Sequence, residues 1–177
     1  MAIQRLNHAV LYVRNVEKSV AFYTDVLGFR TVMSMGSAAA FLQASASTND
    51  HDLGLFQLGD DAALSPAGSN GRGRGTVGLY HLAWEVQTLG DLVDIAQKLT
   101  AAGALVGASD HGSTKSLYGK DPDGLEFEIV WLIPLHLLDE AAIEASKSIR
   151  ALDLHAEIER YGVDTPSGTG VSSPARA

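Results

Sequence analysis

The order of apolar and polar positions predicts the same pair of elements in each half of the chain. LNHAVLYV (residues 6–13) reads as a strand, and the helix-periodic segment VEKSVAFYTDVLGF after it stops at Gly28. The order returns with LYHLAWEV (residues 79–86) and with LGDLVDIAQKLTAAG, which stops at Gly103. Each half therefore begins with a predicted strand followed by a helix.

Short β-rich segments follow each predicted helix. They cover residues 31–35, 39–44, 53–58, 104–107, 114–119 and 125–131. The result is two βαβββ modules, at about residues 3–60 and 76–132, in which His8 and His81 hold equivalent positions 73 residues apart. That period is too long for a solenoid repeat. We therefore expect an α+β fold in which the two modules pair into a cup-shaped mixed β-sheet barrel, forming one domain over residues 1–134.

Three other segments complete the predicted organisation. Residues 65–75, SPAGSNGRGRG, have the composition of a flexible linker between the modules. Residues 135–162 predict a C-terminal helical extension, with Ile143 and Ile149 among its candidate buried positions. Residues 163–177 are small and polar with two prolines, which predicts a disordered tail.

The composition limits the partners and the metal ligands that we consider for this chain. The formal net charge is −8 and the basic residues are scattered, so no stripe of positive charge is available to bind nucleic acid. The chain has no cysteine, which leaves histidine and carboxylate side chains as the metal ligands to consider. Neither a signal peptide nor an apolar run of about 20 residues is recognisable. We expect a cytoplasmic protein with no membrane partner.

Strand alternation separates two candidate ligands from the apolar rows beside them. His81 faces away from the row that includes Trp84, and Glu128 faces away from the row that includes Phe127. His8 joins them mainly through its equivalence to His81. Two histidines and one carboxylate form the facial triad typical of Fe(II) sites with open coordination positions. The alternative is that each is an ordinary core or surface residue.

Further candidates lie in two motifs. His51 opens the segment HDLGLF, while His111 and Tyr118 belong to DHGSTKSLY. Taken alone, such a histidine is usually a surface residue and such a tyrosine usually a packing residue.

At these residues the sequence resembles the vicinal oxygen chelate superfamily, which includes glyoxalase I, bleomycin- and fosfomycin-resistance proteins and type I extradiol dioxygenases. The resemblance covers about residues 3–132. It is strongest toward the catechol 2,3-dioxygenase type, through NDHDLGLF, GLYHLAWEV and DHGSTKSLYGKDPDGLEFEIVW. It implies a metal ion held by His8, His81 and Glu128. Fe(II) is the first choice, and the same ligands accept Mn(II), Ni(II), Co(II) or Zn(II).

The resemblance also implies catalytic roles for three residues. Tyr118 lies ten residues before Glu128, the family spacing, and His111 precedes it in an HG loop. Both would contact the substrate, while His51 would be the acid–base residue beside the oxygen site. The implied reaction opens a catechol-type aromatic diol with O2. The implied assembly is a homodimer.

Two departures from the family leave alternatives open. Many extradiol enzymes have four modules rather than two, and the DPDG turn here lacks the Asn-Gly that often follows it. A glyoxalase I-like isomerase or lyase would need a fourth ligand, for which Gln57 is a weak candidate unless His51 binds the metal. A metal-free binding protein of the bleomycin-resistance type is the third reading.

Overall fold

The computed structural model describes residue 3, residues 5–63 and residues 78–168. These residues fall into two compact units. The first unit contains the described residues before residue 77 together with Asp121–Leu125, and the second contains all the others. The predicted linker, residues 65–75, lies outside the described residues.

The first unit is a four-stranded sheet with one helix. Its elements are β1 (Ala9–Val13), α1 (Val16–Asp25), β2 (Arg30–Ser34), β3 (Ala39–Gln43) and β4 (Leu53–Gln57). The strand order is β1-β4-β3-β2, with β1 parallel to β4 and the other neighbours antiparallel. Asn15 caps the start of α1, and Gly28 follows its end with a φ of 76° that suits glycine. Leu42, Leu53 and Leu55 are fully buried in its core.

The second unit repeats this order and then extends it. Its elements are β5 (Leu82–Glu85), α2 (Leu89–Ala101), β6 (Leu105–Asp110), β7 (Thr114–Lys120), β8 (Glu126–Leu132), a 3₁₀ turn (Leu135–Leu137), α3 (Glu140–Ala145), β9 (Arg150–Ala151) and α4 (Leu154–Tyr161). The strand order is β5-β8-β7-β6-β9, with β5 parallel to β8. A reciprocal capping box between Thr88 and Asp91 begins α2. No helix among the described residues is long and apolar enough to cross a membrane.

The two predicted βαβββ modules are confirmed, and all six predicted β-rich segments are strands. The first strand of each module is shorter than predicted, because β1 starts at Ala9 and β5 at Leu82. The apolar residues before them, such as Leu6 and Leu79, are exposed. His8 therefore immediately precedes β1.

The predicted extension is not one helical stretch. The chain leaves helical geometry after Ala145, and β9 then pairs antiparallel with β6 before α4 begins. Ile143 and Ile149, predicted as buried positions, are 52% and 72% exposed. That prediction assumes one continuous helix, whereas α3 is short and buries Ala142 and Ala145.

The prediction of a disordered tail is wrong for residues 163–168. The Trp131 ring N–H donates to the carbonyl of Thr165 at 3.1 Å, and Ser167 Oγ accepts the N–H of Leu132 at 3.0 Å. Composition alone missed this because the ordering comes from partners elsewhere in the chain rather than from apolar residues in the segment. Residues 169–177 lie outside the described residues.

A buried acidic turn belongs to the first unit. Asp121 is 5% exposed, and its carboxylate accepts the backbone N–H groups of Asp123 and Leu125 at 2.9 Å each. The Tyr23 hydroxyl donates to it at 3.3 Å. Burial is the largest influence and raises the pKa of Asp121 to about 6, and the Asp123 charge adds to it. The folded unit therefore keeps this carboxyl protonated up to a higher pH than an unfolded chain would, to about pH 6.

This turn predicts a pH-dependent stability. Because the pKa is higher in the folded state than the ordinary value of 3.8, Asp121 stabilises the fold most below that value and loses the contribution as the pH rises through about 6. Relative to Asp121→Asn, we expect the free energy of unfolding to fall by up to about 3 kcal/mol between about pH 4 and about pH 7. Urea unfolding across that range measures it, with the exposed Asp25→Asn as control. Parallel pH curves for the wild type and Asp121→Asn would contradict the assignment.

Candidate functional site

His81 and Glu128 meet on one face of the second sheet. Parallel pairing of β5 with β8 places Ala83 beside Glu128, and His81, two residues before Ala83, shares that face. Nε2 of His81 lies 3.1 Å from Oε2 of Glu128. Both side chains are partly accessible, at 23% and 16% exposure. Two of the three predicted metal ligands are therefore adjacent and reachable.

Tyr118 and His111 lie next to this pair. Antiparallel pairing of β7 with β8 places Tyr118 directly opposite Glu128, so the two side chains share a face. The Tyr118 hydroxyl lies 2.8 Å from Nε2 of His111, and its ring centroid lies 6.1 Å from that of His81. Burial, and then the Glu128 charge, raise the pKa of Tyr118, so its phenol stays protonated and able to donate.

His8 and His51 meet in the first unit. Their ring centroids are 4.4 Å apart with the planes tilted by 36°. Two hydrogen bonds hold the backbone segments together: the Asn49 side chain donates to the carbonyl of Asn7 at 2.7 Å, and Ala9 N–H donates to the carbonyl of Asp52 at 2.9 Å. The sequence motif HD is thus placed against the segment that carries His8.

His51 has a carboxylate and an aromatic ring beside it. Nδ1 of His51 lies 3.0 Å from Oδ2 of Asp50. The backbone N–H of His51 is the main cause that lowers the pKa of Asp50, which therefore stays ionised. The Phe41 ring meets the imidazole edge-on at a centroid distance of 5.1 Å. An imidazole with a carboxylate partner is suited to proton transfer.

The His81–Glu128 pair fits a shared divalent metal ion. Two atoms that bind one ion at about 2.1 Å and at right angles lie about 3.0 Å apart, close to the separation observed here. Nδ1 of His81 is buried without a hydrogen-bond partner among the described residues, so one ring nitrogen has no polar contact of its own. Imidazole and carboxylate are also the donor set that Fe(II) and Mn(II) accept.

The third predicted ligand, His8, belongs to the first unit, whereas His81 and Glu128 belong to the second. Across the described residues, no three His, Asp or Glu side chains form a group that could hold a metal ion. The complete triad of His8, His81 and Glu128 therefore stays a prediction.

Two features of the site were not anticipated from the sequence. Asp110 and Lys115 form a buried ion pair at the base of the His111 turn, with Nζ and Oδ1 2.6 Å apart. The signal was present, because opposite charges flank the HGST turn at positions that pair across a hairpin. Gln57, the weak candidate for a fourth ligand, instead accepts the N–H of Val16 at 3.2 Å and so caps α1.

A protein-family model matches most of the chain. The model is that of the Glyoxalase/Bleomycin resistance protein/Dioxygenase superfamily, and it matches residues 5–129. The chain belongs to this superfamily. The match covers every strand and helix of the first module, the second module as far as residue 129 within β8, and all six candidate site residues. It confirms the resemblance drawn from the motifs.

Two relatives are named as dioxygenases that act on biphenyl diols. Biphenyl-2,3-diol 1,2-dioxygenase 3 of Rhodococcus globerulus is 36% identical over 126 residues, which are 71% of this chain and 62% of the relative. A manganese-dependent 2,3-dihydroxybiphenyl 1,2-dioxygenase of Geobacillus genomosp. 3 is 29% identical over 133 residues, 73% of this chain and 37% of the relative. The chain thus spans less than two thirds of the length of these relatives.

A solved structure supports the fold. The glyoxylase/bleomycin resistance protein/dioxygenase domain from Frankia sp. EAN1pec matches with a TM-score of 0.59 at 20% identity, over 77% of this chain and 98% of that domain. At this identity the likeness concerns the fold alone. The predicted α+β fold class of this superfamily is confirmed, while the predicted homodimer and cytoplasmic location stay predictions.

Proposed function

We propose that the protein is a metal-dependent extradiol dioxygenase that opens a catechol-type aromatic ring with O2. The observation that carries the proposal is the row of His81, Glu128, Tyr118 and His111, which lie on or directly beside the neighbouring strands β5, β8, β7 and β6, with contacts of 3.1 Å and 2.8 Å. The names of the relatives favour a diol substrate and O2. In the proposed reaction one ring C–C bond beside the diol breaks and both oxygen atoms of O2 enter the product, so no external reductant is consumed.

His8, His81 and Glu128 would hold the metal ion. We expect Fe(II), although the same ligands accept Mn(II), Ni(II), Co(II) or Zn(II). The bound ion would align the diol with dioxygen and transfer charge between them.

Tyr118 and His111 would orient the diol through hydrogen bonds. The raised pKa of Tyr118 keeps its hydroxyl as a donor to a substrate oxygen. The 2.8 Å contact with His111 fixes where that hydroxyl points, since Nε2 of His111 constrains the phenol from one side. Substrate oxygens are thereby held at a defined distance from Glu128, which lies directly opposite Tyr118.

His51 would move a proton during the reaction. Its Nδ1 contact with the ionised Asp50 holds the ring orientation, so that Nε2 is the nitrogen that would exchange a proton. The edge of Phe41 limits water on one side of the ring. This role follows the family motif and the local geometry together.

The test is oxygen uptake by the full chain after anaerobic reconstitution with Fe(II). We expect uptake with catechol or 2,3-dihydroxybiphenyl, equimolar loss of the diol and a yellow ring-opened product, with no added reductant. The metal-free protein and protein mixed with resorcinol, whose hydroxyls are not adjacent, are the controls. Stoichiometric bound metal without uptake would exclude the dioxygenase, and absence of metal binding would exclude the triad.

A glyoxalase I-like isomerase is the second candidate. The 4.4 Å approach of the His8 and His51 rings favours it, because that separation would allow both imidazoles to bind one ion. The capping role of Gln57 disfavours it, since that carboxamide oxygen is already engaged by Val16. Ni or Zn bound with His51 as a ligand, and no oxygen uptake, would favour the isomerase.

A metal-free binding protein would retain its ligand affinity after chelation.

A further inference from the structure

Four charged side chains tie β9 and α4 of the C-terminal extension (residues 135–162, with α3, β9 and α4) to the hairpin of β6 and β7. Nζ of Lys115 lies 2.6 Å from Oδ1 of Asp110 and 3.1 Å from Oε1 of Glu157 on α4. Nη2 of Arg150 on β9 lies 2.6 Å from the other Asp110 oxygen. The Lys115 side chain is only 2% exposed. Two positive and two negative charges balance, as a buried ammonium group requires.

The same network holds the turn that carries His111. Oδ1 of Asp110 accepts the backbone N–H of Gly112 at 2.8 Å in addition to the Lys115 ammonium. Burial acts to raise the pKa of Asp110, but the hydrogen bonds from Lys115 and Gly112 outweigh it and hold that pKa below the ordinary value. His111 N–H donates to the carbonyl of Thr114 at 2.9 Å and closes the turn. The Gly112 bond therefore ties the backbone directly after His111 to the Asp110 carboxylate.

Helix α3 packs directly on this turn. A Cβ atom at Gly112 would lie 2.4 Å from both the Ala142 carbonyl oxygen and the Ser146 nitrogen, so the helix backbone touches the turn backbone. Asp139 caps the start of α3 and also pairs with Arg160 of α4 at 2.5 Å. Both helices of the extension thus act on the His111 turn, one through backbone packing and one through the ion network.

We propose that the C-terminal extension positions His111 for its contact with Tyr118, with Asp110, Lys115 and Glu157 as positioning residues. The inference rests on the proposed function only for the statement that His111 and Tyr118 contact the diol. The extension lies beyond residue 129, where the family match ends, so it adds a constraint that the matched segment does not contain. Loss of the network would let His111 move while the strands that carry Tyr118 and Glu128 stay in place.

Glu157→Gln tests the positioning, with Glu159→Gln as the matched control on the same helix. Glu157 is 12% exposed and bonded to Lys115, whereas Glu159 is 70% exposed and pairs only with the surface residue His155 among the contacts described. The protein is labelled with ¹⁵N-histidine, and the ring signals of His111 are identified by their loss in His111→Gln. We expect these signals to shift in Glu157→Gln and to stay unchanged in Glu159→Gln. We also expect kcat/KM for the diol to fall about tenfold at unchanged metal content.

Arg150→Gln keeps the inference testable if Glu157→Gln does not fold. Arg150 is 52% exposed and bonds the other Asp110 oxygen, and Lys147→Gln removes a comparable surface pair as control. A shift of the His111 signals in protein that shows no oxygen uptake would support the positioning while the proposed function fails. Unchanged His111 signals in both test variants, with oxygen uptake intact, would overturn the positioning and leave the function standing.

Discussion

We expect Glu128→Gln to lower ring-cleaving activity by at least about a hundredfold, through loss of bound metal. The carboxylate oxygen lies 3.1 Å from Nε2 of His81, and a neutral amide in its place is a much weaker ligand for a divalent ion. Metal content after anaerobic Fe(II) loading, measured beside oxygen uptake, checks the cause. Both quantities should fall together.

Glu126→Gln is the matched control for this prediction. Glu126 lies two residues earlier on β8, on the same face, and pairs opposite Lys120 rather than Tyr118. The Glu126→Gln variant should bind metal and consume oxygen like the wild type. Equal losses in the two variants would show that negative charge on this face matters in general, and would remove Glu128 as a specific ligand.

Gly112→Ala should destabilise the second unit by about 2 kcal/mol or more. Two costs add at this position. The φ of 76° is strained for any residue with a Cβ, and that Cβ would overlap the α3 backbone at 2.4 Å. Helix α3 would have to move away from the His111 turn. Denaturant unfolding monitored by circular dichroism measures the loss.

Gly103→Ala separates the two costs. Its φ is 65°, also in the left-handed region, but a Cβ there would meet no atom within 4 Å. The control therefore carries the backbone strain alone, about 1 kcal/mol. The excess loss in Gly112→Ala reports the packing of α3 on the turn. Equal decreases in the free energy of unfolding of the two variants would mean that α3 does not pack against the turn in solution.

The candidate site was only partly predictable. Alternation along β8 identified Glu128 as facing away from Phe127 and Ile129, and those two residues are indeed buried at 2% exposure. The contact between His111 and Tyr118 joins a residue of the turn to a strand residue that pairs with Gly107, four residues before His111. Alternation assigns a face to Tyr118 on its strand but no direction to a side chain in a turn, so the sequence pattern does not reveal this contact.

The sequence by itself determined the repeated modules, the approximate positions of their strands, the glycines that follow α1 and α2, and the apolar face of β8. These features follow from the periodicity and the turn residues of short segments, which can be read without knowing the fold. Only the tertiary structure decided that Asp110 bonds Arg150, 40 residues away, that the extension divides into α3, β9 and α4, and that residues 163–168 are bound. A buried charge or an unpaired N–H is satisfied by whichever partner the fold brings near it, and that partner's identity is not encoded in the local pattern.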